Sequence, residues 1–86
     1  MFNTAQMKKM KKIQGSEDIA IRLNMIQEEC AELIVAVNKF RRSKNKTKTL
    51  VSLSNEIADV LITSKLLCDI LTINISKVID KKLGKK

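Results

Sequence analysis

Five of the chain's nine acidic residues fall in two short blocks, Glu28-Glu29-Cys30-Ala31-Glu32 and Glu56-Ile57-Ala58-Asp59. Each block pairs carboxylates three positions apart, which on a helix sets them on neighbouring turns of one face. Like charges at that spacing repel, so each pair costs stability unless a positive charge lies between them. A divalent cation relieves the repulsion. Carboxylates converging from two antiparallel helices form the hard, all-oxygen surroundings that Mg²⁺ or Mn²⁺ prefers. The competing origin is a solvated helix face, since glutamate forms helices well. Asp59 argues against it. It is a poor helix former set in the run Ile57-Ala58-Asp59-Val60-Leu61-Ile62, which has no other charge, and there a carboxylate needs a metal or a lysine to answer it.

The rest of the composition narrows the chemistry. No histidine is present, so Ser-His-Asp and Cys-His engines and histidine zinc sites are excluded. Cys30 and Cys68 stand 38 positions apart and cannot complete an all-cysteine metal site by themselves. Each lies in an apolar helical stretch, where a free thiol packs as a small hydrophobe. Proline is absent and glycine occurs twice, too few for the turns of an all-β sandwich. No apolar run nears the roughly 20 residues of a membrane span, and the N-terminus lacks a signal-peptide core, so a cytoplasmic location is expected. Lysine and arginine number 17 against 9 acids, a formal charge of +8, which favours a polyanionic partner.

The elements that must position the acids read as all-α. Met1 to Gln14 permits a helix with Phe2, Met7, Met10 and Ile13 as its apolar positions. Gly15-Ser16 breaks it, with Ser16 as N-cap and Glu17 and Asp18 in the first turn of the next helix. That helix runs to about Arg42. Ile19, Leu23, Ile26, Cys30, Leu33, Val37 and Phe40 form its core stripe, and Ile21, Met25 and Ala36 mix with Glu29 and Glu32 in a second seam. The basic segment Arg41 to Lys48 is expected as a loop, with Thr47 or Thr49 capping a helix over Leu50 to Leu71. There the main stripe holds Leu50, Leu53, Ile57, Val60, Leu61, Leu67, Cys68 and Leu71. Its second strip holds Ser52, Glu56, Asp59, Thr63 and Ile70. Thr72 to Asn74 breaks the chain, Asn74 or Ser76 caps a last helix from Ile75 to Leu83, and Gly84 stops it. The expected fold is a small bundle in one domain, residues 1–86, with two long central helices and one or two short ones. A subunit this small completes its core by dimerising or tetramerising. The second seams, Ile21, Met25 and Ala36 with Ile62, Leu66 and Ile70, are expected to supply much of that interface.

Glu28-Glu29-x-x-Glu32, a spacer and Glu56-x-x-Asp59, in the contexts IQEECAELIVAVNKFRR and LSNEIADVLITSKLL, resemble the MazG-like all-α nucleoside triphosphate pyrophosphohydrolases. The resemblance covers about Ile19 to Leu83. It implies a Mg²⁺-dependent enzyme that cleaves a (deoxy)nucleoside triphosphate to the monophosphate and pyrophosphate. It implies Glu29, Glu32, Glu56 and Asp59 as metal ligands, and Glu28 as a further acid that holds a second ion or orients the attacking water. The family's phosphate-binding lysine matches Lys82, while Lys86 stands where an asparagine is expected four residues on. Phe2 and Phe40 are the only rings that could stack on a base. The physical logic agrees, because phosphoryl chemistry asks for positioning and charge neutralisation rather than for a protein nucleophile.

Two other functions compete with this one. A basic helical module binding nucleic acid would use the lysine clusters at Lys8 to Lys12, Arg41 to Lys48 and Lys81 to Lys86. No helix presents a continuous basic face, however, and the acidic blocks repel phosphate unless metal-loaded, so nucleic acid is not the expected partner. A helical structural or regulatory dimer without the chemistry is the other, favoured by Lys86 in place of asparagine.

Overall fold

A computed structural model of the chain describes residues 2–14 and 19–84. It contains four helices: α1 (Thr4–Gln14), α2 (Ile19–Arg42), α3 (Lys46–Ile70) and α4 (Ile75–Lys82). The all-α expectation holds, with two long central helices packed together and α1 laid against α3. The break at Gly15 and the cap at Ser16 lie outside the described residues, as does Lys86.

The turn between α2 and α3 is shorter than the sequence led us to expect. Helix α3 starts at Lys46, four residues before Leu50, and its N-cap is Asn45 rather than Thr47 or Thr49. The Asn45 side chain accepts from the Lys48 backbone N–H at 3.3 Å, satisfying one of the donors a helix start leaves over. Thr49 instead sits inside the helix, its hydroxyl donating to the Asn45 carbonyl at 3.1 Å. Ser43 braces the turn, accepting from the Asn45 N–H and donating to the Asn45 carbonyl, both at 3.0 Å. Lys46 reaches back, donating to the carbonyls of Phe40 and Arg41 at the end of α2. Its ammonium also lies 4.7 Å from the centre of the Phe40 ring. Three linking residues leave no option but an antiparallel pair.

At the far end of α3 the chain closes in a Schellman turn. The Ile73 N–H donates to the Cys68 carbonyl at 2.8 Å and the Thr72 N–H to the Asp69 carbonyl at 3.2 Å. Thr72 takes the left-handed position at φ +55°, which glycine ordinarily fills. Asn74 then caps α4, accepting from the Lys77 N–H at 3.2 Å. Gly84 follows the helix at φ +76°, the stop expected there.

The packed faces take only part of the apolar stripes: Ile26, Leu33, Phe40, Leu53, Val60 and Leu67 are half-buried, while other stripe residues stay outside. The buried residues of α2 and α3 are Arg22, Ala36, Thr63 and Leu66, so the mixed seams face each other across the pair. Leu23, Val37, Ile57 and Leu61, expected in the core, stay roughly 37 to 44% exposed. Cys30 is exposed and Cys68 half-buried, both as free thiols. The reason is geometric: two helices joined by a three-residue turn have one contact line, and small residues such as Ala36 allow close approach along it. The interface expected of the second seams is therefore corrected in part. Ala36 and Leu66, 6% and 2% exposed, are buried within the chain and have no surface to offer. Ile21 and Ile62 remain exposed. Thr63 is accommodated in the core because its hydroxyl donates to the Asp59 carbonyl at 2.8 Å.

Candidate metal centre

Turning the mixed seams inward brings acids from both helices to one place. Glu29 and Glu32 lie one turn apart on α2, and Glu56 faces them from α3. Each contributes a carboxylate oxygen, and these oxygens all lie within 4.8 Å of one another. Glu29 and Glu56 are half-buried and Glu32 exposed. One oxygen of Glu29 and one of Glu56 (Oε2 in each) are shut off from solvent with no hydrogen-bond partner. A shielded oxygen that no protein donor serves is the kind of group a cation satisfies.

The electrostatics follow from the same geometry. Burial raises the Glu29 carboxyl above its ordinary range, and the charges of Glu32, Asp59 and Glu56 raise it further. Glu56 is raised by burial first, then by the charges of Glu32 and Asp59. Both shifts have the sign expected of carboxyl groups crowded together.

The remaining candidates stand around this core. Asp59, one turn beyond Glu56, is exposed, which corrects the expectation drawn from its apolar run: its neighbours Ile57, Leu61 and Ile62 are exposed as well, so water solvates the carboxylate. Its charge still acts on Glu29 and Glu56, but it lies outside the trio. Glu28 is exposed beside Glu29 and also outside the trio. Lys82 is the last residue of α4 and is exposed. Helix α4 borders, with α1 and the second half of α3, a separate cavity of about 580 Å³ that Phe2 also lines. Phe40, the other ring available for stacking, is covered by Lys46.

Two cations escaped the sequence reading. Arg22 is almost fully buried, 1% exposed, on the α2 face that carries Glu29. Lys39 borders the acidic site from the last turn of α2. The signal for both was spacing. Arg22 precedes Glu29 by seven residues and Lys39 follows Glu32 by seven, each two turns along one face.

An antiparallel helix pair with glutamates meeting across its seam defines a class: all-α proteins with an acidic site between their central helices. Within that class, the chain belongs to the family of the MazG nucleotide pyrophosphohydrolase domain, which matches residues 18–86. No curated protein and no solved structure gives a significant match. Family membership implies a nucleotide pyrophosphohydrolase, and the family is typically Mg²⁺-dependent. No described helix is long and apolar enough to cross a membrane.

Proposed function

We propose that the chain hydrolyses a (deoxy)nucleoside triphosphate to the monophosphate and pyrophosphate, with Mg²⁺, or Mn²⁺ in its place, held by Glu29, Glu32, Glu56 and Asp59. The observation that carries this reading is the meeting of Glu29, Glu32 and Glu56 within 4.8 Å, two of them with a shielded, unpartnered oxygen. The donors are all hard carboxylate oxygens, which fits Mg²⁺ and Mn²⁺ and not a soft metal. When bound, the ion neutralises phosphate charge and lowers the pKa of a bound water. Glu28, the further acid that the family resemblance implies, is assigned to orient the attacking water or hold a second ion. Lys82 is assigned a phosphate contact. Residues 1–86 act as one unit, since α1 packs on α3.

A second copy of the chain belongs to this proposal. Alone, the chain leaves Leu23, Ile34, Leu50, Val51 and Ile57 at 44% or more exposure, an apolar surface that a homodimer or homotetramer would cover. Light scattering at micromolar concentration should show at least a dimer, and a stable monomer would refute that part. The activity itself is tested by incubating the protein with a panel of nucleoside triphosphates and Mg²⁺ and assaying pyrophosphate. Release that is lost in chelator and in Glu56→Gln is expected. Pyrophosphate release that Glu56→Gln leaves intact would remove the site from the reaction.

A further inference from the structure

A groove of about 420 Å³ opens beside the acidic cluster, walled by Glu32, Ala36 and Lys39 of α2 and by Ser52 and Glu56 of α3. Glu32 and Glu56 belong to both the groove and the carboxylate trio, so the two are continuous. Seven residues separate Glu32 from Lys39, about 10 Å along the helix axis. The groove therefore runs from carboxylates at one end to an ammonium at the other.

The polar groups at the far end are available. Lys39 is exposed, and the ion pair found among the described residues is Lys65 with Asp69, elsewhere on α3. The neighbouring hydroxyls of Thr49 and Ser54 bond carbonyls of their own helix, at 3.1 and 2.8 Å. Ser52 makes no such bond among the described residues, which leaves its hydroxyl to donate into the groove. Between the two ends the wall is Val35 and Ala36, and Ala31 lies beyond Glu32.

We infer that this groove is the seat of the substrate's polyphosphate chain, with Lys39, aided by Ser52, binding the terminal phosphates that leave as pyrophosphate. The inference rests on the function proposed above and adds a direction to it. The terminal phosphates point toward the α2–α3 turn, where Arg41, Arg42, Lys44 and Lys48 extend the positive potential. The nucleoside lies toward the other end of the helix pair. Because Glu32 and Glu56 share the groove, an anion enters only when a cation offsets their charge, so binding requires Mg²⁺. A lysine serving only the C-terminal dipole of α2 would do none of this.

The test is calorimetric titration of inorganic tripolyphosphate with Mg²⁺ into the wild type and into Lys39→Gln, Lys39→Arg and, as a control on α4, Lys77→Gln. Lys39→Gln should weaken tripolyphosphate about tenfold, as expected for loss of one charge-assisted contact to phosphate. It should also flatten the salt dependence and leave nucleoside monophosphate affinity unchanged. Lys39→Arg should restore binding, and Lys77→Gln should match the wild type. Unchanged tripolyphosphate affinity in Lys39→Gln, equal weakening of the monophosphate, or no Mg²⁺-dependent tripolyphosphate binding by the wild type would overturn the inference. The two readings fail separately. Pyrophosphate release from triphosphates with Lys39→Gln binding normally sinks only the role of Lys39. Lysine-dependent tripolyphosphate binding without hydrolysis of any triphosphate sinks the hydrolase and leaves the subsite.

Discussion

Glu56→Gln separates a metal site from a structural acid most sharply. The substitution keeps the shape of a half-buried side chain and removes one of the charges crowded at the seam. In chelator at pH 7 the wild type holds Glu29, Glu32 and Glu56 together uncompensated, so the variant should melt higher. The pH dependence has a definite sign. Glu29 and Glu56 are raised above an ordinary value near 4.5, so the folded chain holds protons that the unfolded chain has already released. Their contribution therefore lowers stability as pH rises from about 4.5 through the raised values, and it vanishes below the unfolded value. The advantage of Glu56→Gln should fade on acidification toward pH 4.5. Mg²⁺ should act unequally on the two proteins. At a hundred times its dissociation constant a ligand specific to the folded state adds about 2.7 kcal/mol, which is about 11–22 °C in a domain of this size. The wild type should gain this and the variant little of it. Thermal melts at fixed protomer concentration, with chelator and with Mg²⁺ at pH 7 and pH 4.5, give all these quantities. If Glu56→Gln melts lower in chelator at pH 7 and Mg²⁺ adds nothing to the wild type, the carboxylates are structural and the metal assignment fails.

Other outcomes follow from the fold and the charge. Asp59→Asn should abolish Mg²⁺-dependent pyrophosphate release while leaving stability in chelator unchanged or higher; clear destabilisation would mark a structural ion pair instead. Leu66→Ala should cost about 2–5 kcal/mol in chemical denaturation, because Leu66 is only 2% exposed at the α2–α3 seam. Thr72→Gly should stabilise by about 1 kcal/mol, since a β-branched residue at φ +55° is strained where glycine is not; a loss of stability would mean that the Thr72 hydroxyl, donating to the Leu71 carbonyl at 2.7 Å, outweighs the strain. Duplex DNA should bind weakly and lose affinity steeply with salt regardless of its sequence, as gel shifts at two ionic strengths would show. A tight, sequence-selective complex at physiological salt would favour the nucleic-acid reading.

Much of this molecule was legible in one dimension. Helix content followed from missing proline and scarce glycine, and the break at Thr72 to Asn74 and the stop at Gly84 from local backbone preference, which acts over a few residues. The glutamates were legible too, because repulsion at a three-residue spacing is a conflict a sequence displays without a fold; the apolar run around Asp59 misled, because Asp59 lies exposed and water solvates its carboxylate. Which faces would meet was legible only in part. Of the apolar stripes, Ile26, Leu33, Leu53 and Val60 are half-buried, but Leu23, Val37, Ile57 and Leu61 stay exposed, and the residues buried most deeply in the helix pair are Ala36, Leu66, Thr63 and Arg22. Hydrophobic periodicity records every apolar surface a helix will eventually cover, inside its own chain or against another. The single contact line of a helix pair is set by the length of the turn and by how closely the backbones approach. Asn45, by starting α3 at Lys46, fixed that turn at three residues. Its cap competes with those of Thr47 and Thr49 only by the small energies that separate such residues. Tertiary structure thus decided that the acidic seams face inward, and with it that Lys39 and Glu32 border one groove. Side chains seven residues apart on a single helix share a face, but a groove needs a second wall, and only the packing of α3 supplies it.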